Sequence, residues 1–246
     1  MNFNLNPVST ISHFCPQGTE AWHQARAGHV TASHFEEVCE LAKSGKNKGG
    51  YGDTARKYAM RLAIERISKA PLNVDGFNVW QAERGQILEA DARRHHSNRT
   101  GLLIEPVGFV GTVDGKFGCS ADGFIDDDAG AEYKCYLDPT KLHNILIEKD
   151  IAAVRFQCQG NMWLTERAWW DFALYCPALA AIGLDLQLFR IERDEAFISD
   201  MVPKLHAFDR LVESYQAQLR VEGMRAMAAS SDDFPIHVRA PELEAA

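Results

Sequence analysis

The sequence predicts a single α/β domain with a central mixed β-sheet flanked by helices. Helical start and stop signals dominate the first hundred residues, and short segments rich in β-branched and aromatic residues follow at 102–120, 131–136 and 169–192. No repeat, low-complexity block or linker divides the 246 residues, a length that buries a substantial core as one unit. The domain is expected over residues 1–228, with a small-residue, polar tail over 229–246.

Glu20–Ala27 reads as a short helix stopped at Gly28. Ser33-x-x-Glu36 has the spacing of a capping box and opens a helix expected to end near Gly45. Lys43–Gly52 is a polar, Gly-rich loop. Thr54–Ser68 follows as a helix capped by Asp53, with Pro71 beyond its end, and Val79–Ser97 is a second long helix. Leu102–Val113, Lys116–Ser120 and Ala131–Tyr136 read as strands. Thr140–Lys149 and Ala152–Leu164 are helical, Trp169–Tyr175 and Leu184–Glu192 complete the sheet, and Asp194–Met227 is a long helix with a possible break at Pro203.

Composition narrows the function. Hydrophobic residues make up 46% and charged residues 24%, as in an ordinary globular chain. No apolar run reaches membrane-span length and the start Met1–Pro7 lacks signal-peptide character, so a cytoplasmic protein without a membrane partner is expected. Six cysteines lack paired metal-ligand spacing, which argues for reduced thiols. The net charge of −8 is uneven: residues 1–105 carry 13 Lys/Arg against 11 Asp/Glu, and 106–246 carry 13 against 23. Lys43–Lys69 holds eight basic residues and two acids, a local zone able to meet phosphates or simply to solvate helix surfaces.

The chemistry concentrates in Cys119-Ser120-Ala121-Asp122-Gly123, followed by Glu132-Tyr133-Lys134. On a strand, Glu132 and Lys134 project from one face and Tyr133 from the other. A hairpin-like return over residues 123–131 would bring Asp122 beside Glu132 and offer hard oxygen ligands to Mg²⁺. The same pattern also suits a solvated hairpin. Its surroundings decide: Glu89 stands upstream on a helix, and Gln157 and Gln159 stand downstream on another.

This order resembles the PD-(D/E)xK nucleases. Closer still, Gly18–Ser33, Cys119–Gly123, Glu132–Cys135, Gln157-Cys158-Gln159 with Met162-Trp163, and Ile191–Glu195 resemble, in order, the phage lambda exonuclease and YqaJ-type viral recombinase family. The resemblance implies a PD-(D/E)xK fold and a Mg²⁺-dependent deoxyribonuclease, with Mn²⁺ as an alternative and two ions per site. By the same resemblance Asp122, Glu132, the Tyr133 carbonyl and Glu89 would hold metal, Lys134 would hold the attacking water, and Gln157 would orient Lys134 or a phosphate. For Gln157 a purely structural hydrogen bond is an equal reading, and Gln159 reads as structural.

In that family the N-terminal motif binds the 5′-terminal phosphate, which carries over to Arg26, Ser33 and Lys43. Lys43 stands where an arginine is usual and lacks its bidentate fork. Thr31 shapes the turn, and Thr31, Lys46 and Lys48 are candidate DNA contacts. The strand-separating wedge is not assignable: Trp80, Ala82 and Glu83 occupy its place. The implied activity is 5′-to-3′ hydrolysis of double-stranded DNA from its ends by a homotrimeric ring. It would release mononucleotides and leave 3′ single strands for a single-strand annealing protein. An endonuclease of the same superfamily, or a DNA-end-binding module without chemistry, are the alternatives. His95 and His96 are read as helix C-terminal charges. The aromatics Trp163, Trp169, Trp170 and Phe172 are read as core.

Overall fold

The protein is described from a computed structural model covering residues 8–72, 79–136 and 138–230. Its strands are β1 (Thr10–His13), β2 (Val30–Thr31), β3 (Ile104–Glu105), β4 (Phe109–Thr112), β5 (Phe117–Cys119), β6 (Gly123–Ile125), β7 (Ala129–Lys134), β8 (Trp169–Tyr175) and β9 (Leu186–Glu192). The helices are α1 (Glu20–Arg26), α2 (Phe35–Cys39), α3 (Asp53–Ser68), α4 (Val79–Thr100), α5 (Pro139–Leu146), α6 (Ala152–Thr165) and α7 (Glu195–Ser230). The α/β class holds, but the sheet divides in two: β1-β4-β5-β2 and β3-β6-β7-β8-β9, both of mixed strand direction.

The division has a local cause. The run expected as one strand over Leu102–Val113 contains Pro106, which has no N–H for a ladder, and Gly108. A Cβ at Gly108 would sit 2.1 Å from the His13 carbonyl oxygen, so only glycine lets the chain pass there. β3 therefore stays with β6, and β4 turns away to pair with β1.

Several helix boundaries differ from the sequence reading. Ser33 lies inside a 3₁₀ turn (Ala32–His34) instead of capping a helix, and α2 ends at Cys39, well before Gly45. The Ser33 hydroxyl accepts from Arg26 at 3.1 Å, which removes it from capping duty. Gly52 is the N-cap residue of α3, while Asp53 is its first residue and accepts from the Asn47 amide at 2.7 Å. α7 continues through Pro203, because Ile198, Met201, Val202, Leu205, Phe208 and Val212 are all buried against the core. That burial, ~1.5–3 kcal/mol per large apolar side chain, exceeds the ~3 kcal/mol that an interior proline costs.

Among the described residues, one part of the core packs the first sheet against α2, α3 and α7 through Phe35, Leu62, Phe117 and Phe208, and the rest lies on both sides of the second sheet. Trp170 and Phe172 pack under α5 and α6, whereas Tyr133, Ala173 and Leu186 pack toward α4 through Ala92 and Leu88. Trp163, Trp170 and Phe172 are buried, and the half-buried Trp169 ring is stacked by Arg190 at 3.6 Å, so these aromatics are packing residues as expected. Among the described residues no helix is long and apolar enough to cross a membrane. The wedge candidates Trp80, Ala82 and Glu83 have side chains outside the described set, and so do residues 231–246 of the expected tail.

Candidate active site

β7 places the central residues. Its small residues Ala129, Gly130 and Ala131 let β8 approach closely; a Cβ on Gly130 would lie 2.3 Å from the Trp170 ring. The β6–β7 hairpin pairs Gly123 with Ala131, turning at Asp126, which takes a left-handed φ of 45°. Continuing that register sets Asp122 opposite Glu132. The Tyr133 N–H donates to Asp122 Oδ2 at 2.6 Å, fixing the carboxylate against the strand.

Glu132 and Lys134 share a face, as their spacing requires, with Lys134 Nζ 2.7 Å from Glu132 Oε1. α6 brings Gln157 onto the same pair: its amide N–H donates to Glu132 Oε1 at 2.7 Å, and its carbonyl accepts from Lys134 Nζ at 3.0 Å. Gln157 is half-buried and bridges Lys134 and Glu132 through these two hydrogen bonds. Gln159, one face away, accepts from Asp194 N and donates to the Glu192 carbonyl, a structural tie.

The electrostatics are those of a site short of positive charge. Burial, then the negative charge of Glu132 and Glu89, pushes the Asp122 carboxyl well above the usual carboxylate range. Burial also raises Glu89, partly offset by Arg93, which pairs with it at 3.0 Å. For Lys134, burial disfavours the charge, but the Glu132 and Asp122 carboxylates outweigh it and hold the ammonium firmly protonated. Cys119 and Cys135 flank the site with thiols pushed up to about 12 by burial, so neither supplies a thiolate ligand at neutral pH.

These residues fit a hard divalent cation. Glu132 Oε2 is buried with no hydrogen-bond partner, an orphaned anionic oxygen beside a destabilised carboxylate. Among the described residues no three His, Cys, Asp or Glu side chains gather into a complete metal cage. A donor set of two carboxylates completed by a backbone carbonyl, water and substrate phosphate is the kind Mg²⁺ accepts.

Behind β7, Tyr133 turns inward, as alternation demands. Its hydroxyl lies 3.1 Å from Nδ1 of His96, a fully buried residue of α4. His96 Nε2 lies 3.2 Å from Asp171, although not aligned as a hydrogen bond, and Asp171 receives a bidentate grip from Arg190 at 3.0 and 3.1 Å. His96 is therefore a core residue under the site, not a surface charge at a helix end.

The second cluster gathers around Arg26. Its guanidinium donates to Thr31 Oγ1 at 3.0 Å and Ser33 Oγ at 3.1 Å, approaches Ser120 Oγ at 3.4 Å, and lies 5.0 Å over the Trp22 ring. Trp22 Nε1 donates to the same Ser120 hydroxyl at 3.0 Å. Gly28, at a φ of 77°, turns the chain after α1; Glu65 accepts its N–H at 2.8 Å and Arg66 donates to its carbonyl at 2.7 Å. Lys43 is not part of this cluster. It is exposed and pairs with Glu40 at 3.4 Å, while Lys46 pairs with Asp53 at 3.5 Å and Lys48 is exposed in the same loop. Much of the basic zone is neutralised in this way, Arg61 by Glu65 and Arg66 by Asp209.

One open cavity of about 1290 Å³ joins the two clusters, lined by Glu89, Arg93 and Asp122 on one side and by Arg26, Thr31 and Trp22 on the other. It exceeds the usual size of a small-molecule pocket, ~300–1000 Å³, and suits a polymer segment. Ser120, Tyr58 and Arg93 belong to this neighbourhood without having been singled out from the sequence. Ser120 was within the Cys119–Gly123 motif; Tyr58, which donates to the His29 carbonyl from 29 residues away, leaves no local signal.

The profile described as a YqaJ-like viral recombinase domain matches residues 21–168. This chain belongs to the YqaJ-like viral recombinase family. The matched span holds Arg26, Ser33, Glu89, Asp122, Glu132, Lys134 and Gln157. Among solved structures, the alkaline exonuclease LHK-Exo of Laribacter hongkongensis is 28% identical with a TM-score of 0.69, covering 85% of this chain and 100% of its own. The same protein in complex with dAMP aligns equally well. A phage-related exonuclease of Haemophilus somnus 129PT shares the fold at 19% identity and a TM-score of 0.55, covering 79% of this chain and 96% of its own. No curated protein sequence matches significantly. The fold of this YqaJ-like protein is that of the PD-(D/E)xK nucleases.

Proposed function

We propose that this YqaJ-like protein is a Mg²⁺-dependent exonuclease that degrades double-stranded DNA 5′ to 3′ from its ends. The observation that carries the reading is the shared cavity, lined by Asp122 and Glu89 on one side and by Arg26 and Thr31 on the other; Glu132 and Lys134 adjoin Asp122 through the β6–β7 pairing, and Ser33 adjoins Arg26. The similarity to an alkaline exonuclease supports the nuclease class, and the dAMP complex of that relative suits release of mononucleotides.

Each residue has a task that follows from its environment. Asp122 and Glu132 hold the divalent ions, with Glu89 and the Tyr133 carbonyl as further oxygens. When bound, such ions lower the pKa of water and neutralise charge on the phosphoryl group. Lys134, kept protonated, positions water and opposes the negative charge that builds in the transition state. Gln157 holds both Lys134 and Glu132, so the ammonium cannot swing away between turnovers. Arg26 and the hydroxyls of Thr31, Ser33 and Ser120 form a fork for a terminal phosphate, which fixes the strand's polarity. Lys43, an ammonium paired with Glu40, adds little, so the preference for a 5′-phosphate is modest.

In this reading the product is a 3′ single strand for a single-strand annealing protein, the active assembly is a homotrimeric ring, and the reaction runs in the cytoplasm. Nucleotide release from linear duplex, 5′-phosphorylated or 5′-hydroxyl, is compared with a closed circle, using Lys134→Ala as control. Release from linear DNA alone, absent in the variant, supports the exonuclease. Cutting of the circle converts the reading to an endonuclease, and end binding without turnover leaves only the binding module.

A further inference from the structure

Phe14 follows β1 and is 98% exposed, although it is a large apolar ring on the wall of the cavity that holds Asp122 and Glu89. Its segment is held firmly. A Cβ on Gly108 would collide with the His13 and Cys15 carbonyl oxygens at 2.1 and 2.7 Å, so residues 13–15 press directly on that strand connection. Three residues on, the Gln17 amide donates to the Val107 carbonyl at 3.1 Å and to the Ala121 carbonyl at 2.7 Å. Ala121 is the immediate neighbour of Asp122. Three residues of chain span at most about 11 Å, so Phe14 stays close to the anchor that Gln17 makes beside Asp122.

An exposed aromatic on a fixed backbone, at the wall of a cavity lined also by the Arg26 fork, has the make-up of a stacking platform for a nucleic-acid strand. We infer that Phe14 stacks on a base of the DNA strand lying in this cavity, as a sequence-tolerant contact that holds the strand in place. This rests on the cavity being the DNA site of the proposed nuclease. Every base offers a π-face, so the contact provides affinity without base preference. A second copy of this chain could instead cover the ring, which the experiment separates.

Phe14→Ala and Phe14→Trp are compared with the wild type on 5′-phosphorylated linear duplex. Binding is read separately from the fluorescence of 2-aminopurine placed at successive positions from the 5′ end. The loss of one base-aromatic stack corresponds to about a 5- to 150-fold weakening. Phe14→Ala is expected to raise KM and the DNA dissociation constant within that range, with kcat within about twofold, and to relieve 2-aminopurine quenching at one or two positions. Phe14→Trp is expected to restore both. Unchanged binding in Phe14→Ala overturns the inference, as does a change in native mass that accounts for the loss, since the ring would then be a subunit contact. If the wild type binds and quenches but releases no nucleotide, the nuclease reading fails while the stacking result stands on the fluorescence alone.

Discussion

Replacing Asp122 by Asn is expected to stabilise the metal-free protein while abolishing activity. Asp122 is only 8% exposed and faces the negative charge of Glu132 and Glu89, so its ionised form is disfavoured in the fold. Each tenfold preference for the neutral form corresponds to about 1.4 kcal/mol lost on ionisation. Asn keeps an oxygen for the Tyr133 N–H, so the hydrogen bond survives and only the charge goes. In a domain of this size ~1 kcal/mol moves Tm by about 2–4 °C, so the gain is read as a rise in Tm at pH 8 in EDTA. The sign with pH is definite. The folded carboxyl is raised above its unfolded value near 3.9, so the wild type loses stability as pH climbs from ~4 through the folded value. The gap to Asp122→Asn therefore opens with rising pH and closes near pH 4. Divalent metal works against the gap: at a hundredfold excess over Kd it adds about 2.7 kcal/mol to the wild type and little to the variant. Thermal unfolding at pH 4 to 8, with EDTA or Mg²⁺, reads all of this. A variant less stable than the wild type in EDTA at pH 8, or a gap indifferent to pH, would refute the reasoning.

Lys134→Ala removes the ammonium that Gln157 and Glu132 hold, and kcat should fall about 10²–10³-fold with DNA binding retained, measured by single-turnover release and end binding. Arg26→Lys keeps charge but loses the fork to Thr31 and Ser33; discrimination between 5′-phosphate and 5′-hydroxyl ends should shrink while kcat on saturating DNA stays near wild type. Gly28→Ala forces a side chain at φ 77° against Arg66 Cγ at 2.8 Å, and should lower Tm by an amount matching at least ~2 kcal/mol, together with the 5′-phosphate preference.

How much of this was legible in the sequence depends on the range of the interaction. Glu132, Tyr133 and Lys134 alternate as a strand must, and the 123–131 hairpin brings Asp122 to Glu132 by local pairing alone. Trp169–Tyr175 matched β8 at both ends because its aromatic run sits between the polar Glu166-Arg167 and Pro177. Ser33 misled because its capping spacing was real, yet Arg26 claimed the hydroxyl from a neighbouring element. The two-sheet division turned on Gly108 meeting His13 from 95 residues away, a contact that no window of sequence displays. Lys43 is exposed beside Glu40 and does not line the cavity, a placement that its position in the sequence does not display.

The most direct test of the central claim is which end of a duplex strand is released first. With linear duplex labelled at either the 5′ or the 3′ terminus, wild-type protein and Mg²⁺, the account predicts that the 5′ label appears at once as a mononucleotide. The 3′ label should remain in a long single strand, and EDTA should stop both. Early release of the 3′ label, or release that persists in EDTA, would contradict it.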